Sequence, residues 1–91
     1  MVVPTQGEAL RLDQFLVYAR FCKTRAVAEA LVEKHGVRIN RHPTTKAHAR
    51  VHVGDVLTIA LPNGVKVLEI LHLPARREGT TLAQGCYREL A

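Results

Sequence analysis

The chain of 91 residues has no tryptophan, one methionine, two cysteines and only four aromatic rings, Phe15, Tyr18, Phe21 and Tyr87. Two cysteines, Cys22 and Cys86, are too few for a disulfide framework, so a reducing, cytoplasmic setting is expected. No apolar run approaches the ~20 residues of a membrane helix, and the opening MVVPTQGEAL lacks the basic region and apolar run of a secretion leader. Neither export nor a membrane partner is expected. Phe15 fits a core position, while Tyr18 and Phe21 flank a basic segment; so few rings do not indicate reading of base sequence by stacking. Gly36, Gly54, Gly64, Gly79 and Gly85 stand singly, so no glycine-rich phosphate loop is present. His48 and His52 are four apart, yet the alternation of Val51 and Val53 opposes the helix that would bring them together on a metal. Cys22 has no histidine and acid set to make it a nucleophile. No catalysis, metal, cofactor or small-molecule substrate is expected.

Acidic residues are scarce in one half only. Residues 11–50 hold nine Lys/Arg against three acids, and residues 51–91 hold four against four, so the net charge of +5 belongs to the first half. A positive field concentrated in this way favours a polyanionic partner. A chain this short buries about 60–65% of its unfolded surface, enough for one modest core. No repeat or long linker divides it.

Leu12, Phe15, Leu16 and Ala19 recur at helical spacing, which predicts a first helix ending near Arg20. Thr24 is placed to cap a second helix with Val27, Ala28, Leu31 and Val32 on its apolar stripe, and Gly36 is a natural stop. The period then becomes two. Val37 to Ile39, Val56 to Leu61 and Val65 to Leu73 read as strands, with Asn63-Gly64 as a type I′ hairpin turn and Gly54-Asp55 as an earlier turn. Arg41 to Arg50 has no clear period and is expected to be a basic loop. Leu82, Ala83, Cys86, Tyr87 and Leu90 recur at helical spacing, so the tail is expected to be helical.

In the stretches RLDQFLVYARFCKTRAVAEALVEKHGVRIN and VHVGDVLTI the chain resembles the S-four RNA-binding domain, also called the αL motif. Arg11-Leu12-Asp13, Arg20-Phe21, Lys23-Thr24-Arg25, Gly36 to Asn40 and Gly54-Asp55 occur in family order over residues 11–73. ARFCKTR and the tail from Arg76-Arg77 to Leu90 are most similar to the ribosome-associated heat-shock protein fifteen group. The resemblance implies an α+β fold: two N-terminal helices on a small, mainly antiparallel sheet. A lead over residues 1–10 precedes that domain and a tail over 74–91 follows it. It also implies binding to structured ribosomal RNA and to large ribosomal subunits carrying a stalled nascent chain. Asn40-Arg41 replaces the usual Asn-Gly and Lys46-Ala47-His48 the frequent Lys-Pro-Ser, which alters loop geometry. The group's longer basic C-terminal extension implies that subunit binding here is weaker or differently placed.

The expected RNA contacts are Arg20, Lys23 and Arg25, with backbone donors near Thr24 and Arg38, Arg41 and Lys46 extending the track. Arg11 belongs to the same cluster but competes for a structural role beside an acid, and Asp13 is expected to act at the helix start or to pair with Arg25. Two other readings stand beside this one: a generic RNA- or DNA-binding regulatory module, with DNA the lesser partner, and an adaptor that docks a protein on the hairpin face or on Leu82 to Leu90.

Overall fold

The structure is a computed structural model that describes residues 9–74 and 85–90. Strand β1 (Leu10–Arg11) leads directly into helix α1 (Leu12–Tyr18), which is followed by α2 (Arg25–His35), β2 (Val37–Ile39), β3 (His42–Thr44), β4 (Arg50–Val51), β5 (Val56–Leu61), β6 (Gly64–Ile70) and β7 (Tyr87–Glu89). Five strands form an antiparallel sheet in the order β3-β2-β5-β6-β7, and β1 pairs with β4 in a separate ribbon. The α+β expectation, two helices with a mainly antiparallel sheet, is met.

Period two sorts the sheet into two faces. Val37, Leu57, Ile59, Leu68 and Ile70 turn inward and join Leu12, Phe15, Leu16, Ala28 and Val32 of the helices in one buried cluster. Cys22 and Cys86 are both buried in this cluster. No helix among the described residues is long and apolar enough to cross a membrane.

The two helices end by different devices. At α2 the Thr24 hydroxyl oxygen accepts the Val27 N–H at 3.2 Å, and Gly36 closes the other end with φ +73°, a conformation glycine adopts at little cost. At α1, Arg20 N–H reaches the Val17 carbonyl at 3.0 Å and Phe21 N–H reaches Leu16 at 2.9 Å. This is the doubly bonded Schellman closure, but its left-handed residue is Arg20, at φ +67°, where glycine is usual. A left-handed non-glycine residue costs about 1–2 kcal/mol. Glycine loses some of that gain through its freer unfolded chain. Arg20 takes part in a further interaction that either truncation removes, so the strain is read from a pair of variants: Arg20→Gly should be more stable than Arg20→Ala by about 0.5–1 kcal/mol, a difference of a few degrees in thermal midpoint. A midpoint for Arg20→Gly equal to or below that of Arg20→Ala would contradict the strain.

Three expectations need correction. The segment Arg41 to Arg50 is not a plain loop, because β3 lies within it and β4 begins at Arg50; residues this polar carry no period, and pairing with Val37–Ile39 and Leu10–Arg11 makes them strands. The hairpin turn is Pro62-Asn63, between the paired Leu61 and Gly64, and Asn63 has no positive φ. Proline fixes φ near −65° and thereby forbids the type I′ turn. In the tail, Tyr87–Glu89 is a strand on the edge of β6, with Leu68 opposite Glu89 and Ile70 opposite Tyr87, because an open sheet edge offers hydrogen bonds that override a helical spacing. Gly85 and Cys86 form a turn ahead of that strand, and the part of the expected tail helix from Leu82 to Gln84 lies outside the described residues.

Candidate nucleic-acid interface

Helix α1 has only seven residues, and no side chain caps its start. Its first amide donors are satisfied instead by the segment after β3: Leu12 N–H donates to the Ala49 carbonyl at 2.7 Å and Asp13 N–H to Ala47 at 3.1 Å. Buried helix-end donors must find acceptors, and this one tie fixes the Lys46–Arg50 segment beside the helix start. Asp13 then becomes a hub. Its carboxylate is fully buried, and Oδ1 accepts the Gln14 amide at 2.8 Å and Arg11 Nε at 3.1 Å. Oδ2 accepts Arg11 Nη2 at 2.9 Å and Arg25 Nε at 3.1 Å.

One carboxylate thus gathers two arginines from two elements. Arg11 and Arg25 keep side-chain exposures of 34% and 52%, so each guanidinium is anchored on its inner edge and open on its outer one. A rigid guanidinium fork suits phosphate oxygens better than a mobile ammonium does. Glu29 also contacts Arg25 Nε, at 3.4 Å, from one turn further along α2. The expected Asp13–Arg25 pair is present, together with the structural role for Arg11.

Arg50 is a basic residue that sequence reasoning missed. It stands directly opposite Arg11 in the β1–β4 ribbon, so both side chains leave the same face while Leu10 and Val51 turn toward the core. Like charges set opposite each other across a ribbon destabilise it, and a bound anion relieves the repulsion. The signal lay in pairing, not in spacing.

Lys23 and Thr24 are exposed in the α1–α2 connection, as is Arg20, and Lys23 forms no ion pair among the described residues. The Thr24 hydroxyl oxygen is committed to its helix cap. Lys46 is exposed on the segment tied to α1. Arg41 sits at the β2–β3 turn, where Asn40 takes φ +59° and bonds through its side chain to Asp55 at 3.2 Å and to the Val56 amide at 3.1 Å. His52 contacts the same Asp55 at 3.5 Å, so the Arg41 turn docks against the turn that follows β4. Arg41 itself has no positive φ, which explains how it stands where the family usually has glycine. Arg38 is not with the others. It lies between inward-facing Val37 and Ile39 and so emerges on the opposite face of the sheet, over a shallow groove shared with Pro43, Thr58 and Val65.

The remaining groups contribute packing. Phe21 meets Tyr87 of β7 with ring centroids 4.9 Å apart, a tilted pair within the protein. Burial pushes the Cys22 thiol up from its ordinary value, which disfavours the thiolate a nucleophile needs. Among the described residues no group of three or more His, Cys, Asp or Glu is placed to hold a metal ion.

The S4 domain family matches residues 10–57. Heat shock protein 15 homolog of Haemophilus influenzae is 38% identical over 80 residues, covering 88% of this chain and 60% of that protein. The chain thus spans about three fifths of the length of the curated relative it matches. A trimeric structure of Vibrio cholerae heat shock protein 15 superposes with a TM-score of 0.83 at 36% identity, over 92% of this chain and 84% of that one. A start-to-turn match that spans the Asp13 hub, both helices and the first paired strands, joined to the same fold throughout, places the chain in the S4 domain family.

Proposed function

We propose that this protein binds structured ribosomal RNA and associates with the large ribosomal subunit, in a role tied to stalled ribosomes. The observation that carries this reading is the Asp13 hub. It ties two forked guanidinium groups from two elements to one buried carboxylate, with Arg50 opposite Arg11 in the ribbon and Lys46 and Lys23 exposed on the adjoining segments. RNA helices are recognised mainly through backbone, shape and 2′-hydroxyls, because their deep groove excludes side chains. A rigid array of cations with few aromatic rings suits backbone recognition. Arg11, Arg25, Arg50 and Lys46 engage phosphates on the ribbon side, and Arg20 and Lys23 do so from the helix connection. Arg41 extends the array along the docked turn. Arg38, on the other face of the sheet, contacts a separate strand or none. The resemblance to heat shock protein 15 supports the ribosomal address.

The test is co-sedimentation of the protein with separated large subunits, small subunits and total RNA, repeated after Lys23→Ala with Arg25→Ala. Selective large-subunit binding that disappears in the double variant supports the reading. Equal retention by every RNA reduces it to a generic nucleic-acid module, and no retention turns attention to protein docking.

A further inference from the structure

Asp13 is a negative charge at the centre of a surface proposed to bind a polyanion. On charge alone it opposes that function. It is nevertheless fully buried, and its oxygens are placed on the donors of Arg11 and Arg25 at 2.9 to 3.1 Å. The Gln14 amide would be served by any acceptor at the helix start, so capping alone does not explain the second oxygen.

Building on the RNA-binding reading, we infer that Asp13 is a positioning residue: it sets the orientation of Arg11 and Arg25 so that their outer N–H groups meet adjacent phosphates. An arginine side chain gives up considerable rotamer freedom when it is fixed on a ligand. A buried carboxylate that holds the inner edge of the guanidinium removes that loss before RNA arrives. It does so here for two side chains from different elements, one ahead of α1 and one at the start of α2, which also fixes the distance between them. Glu29 is the built-in comparison. It touches Arg25 too, at 3.4 Å, but is 41% exposed and lies on the same helix, so it contributes charge without tying the elements together.

The inference fixes the sign of an effect that electrostatics predicts oppositely. Asp13→Asn keeps size and one acceptor but turns an N–H₂ group toward the Arg11 and Arg25 donors, so the arginines are released. Removing a negative charge should tighten RNA binding if charge is all that matters. If Asp13 positions the arginines, binding should weaken by about tenfold, the scale of one lost charge-assisted hydrogen bond. Glu29→Gln removes the same charge without release and should leave binding equal or tighter.

The experiment measures affinity for purified large-subunit ribosomal RNA by filter retention for the unaltered protein, Asp13→Asn, Glu29→Gln and Arg25→Lys, with thermal melts establishing folding at the binding temperature. Arg25→Lys keeps the charge on a half-exposed side chain but has no fork with which to contact Asp13 and phosphate together. Weaker binding by Asp13→Asn and by Arg25→Lys, with Glu29→Gln unimpaired, is the expected result. If Asp13→Asn does not fold, Arg25→Lys decides: retained affinity overturns the inference. Equal or tighter binding by folded Asp13→Asn also overturns it and leaves the RNA-binding reading intact. If the unaltered protein binds no RNA, both fall.

Discussion

Phe15→Ala should lower the thermal midpoint by about 20 °C or leave the chain unfolded at room temperature, the largest stability loss expected from a single core substitution here. Phe15 is completely buried in the one cluster where α1 meets α2 and the sheet. Emptying such a site costs about 3–5 kcal/mol, against a total stability of about 5–14 kcal/mol for a domain of this length. The neighbours cannot easily collapse into the space, because Leu12 and Leu16 lie on the same short helix and Leu57, Ile59 and Leu68 are held by strand pairing. Calorimetry or chemical denaturation checks this. A loss of only a few degrees would mean that α1 is not anchored as described.

The second large effect is electrostatic. If five phosphates are neutralised on single-stranded RNA, log affinity should fall with log salt at a slope of about −3.5, somewhat more steeply on structured RNA. A fourfold rise in salt then weakens binding about a hundredfold. Changing Lys23 and Arg25 together to alanine should flatten the slope by about 1.4, whereas changing Arg38, on the far face of the sheet, should flatten it little. Titration at several salt concentrations decides. A flat line would remove the phosphate array, and a large effect of Arg38 would move the binding face to the other side of the sheet.

Much of this was legible in the chain itself. The helical stripe from Leu12 to Ala19, the Thr24 cap and the Gly36 stop are local signals, and each appears where such signals should place it. The basic cluster was legible in composition, and the Asp13–Arg25 pair was among the expected alternatives. What escaped sequence reasoning depends on partners distant along the chain. β3 is polar and β4 has only two residues, and pairing with Val37–Ile39 and Leu10–Arg11 makes them strands. Arg50 looks like any surface arginine until the ribbon puts it opposite Arg11. Arg38 was grouped with the cluster because neighbours in sequence were read as neighbours in space, although alternation along β2 sends it the other way. Tyr87–Glu89 carries a helical spacing, yet its strand is decided by the edge of β6.

The tie between the start of α1 and the Ala47–Ala49 segment also has a kinetic side. A seven-residue helix does not persist alone in water, since its nucleation is costly and it has few bonds to recover the loss. Its first amides find their acceptors more than thirty residues downstream, so the helix gains its start only when a long loop closes. The arginine hub therefore comes into being with the tertiary fold and not before it. Amide hydrogen exchange at Leu12 and Asp13 should accordingly be as slow as at the central strand β5, tracking global opening; rapid exchange there would reveal a helix start that frays independently. A nascent chain of this protein that has not yet emerged past the second turn of its sheet has the charge of the finished surface but not its shape.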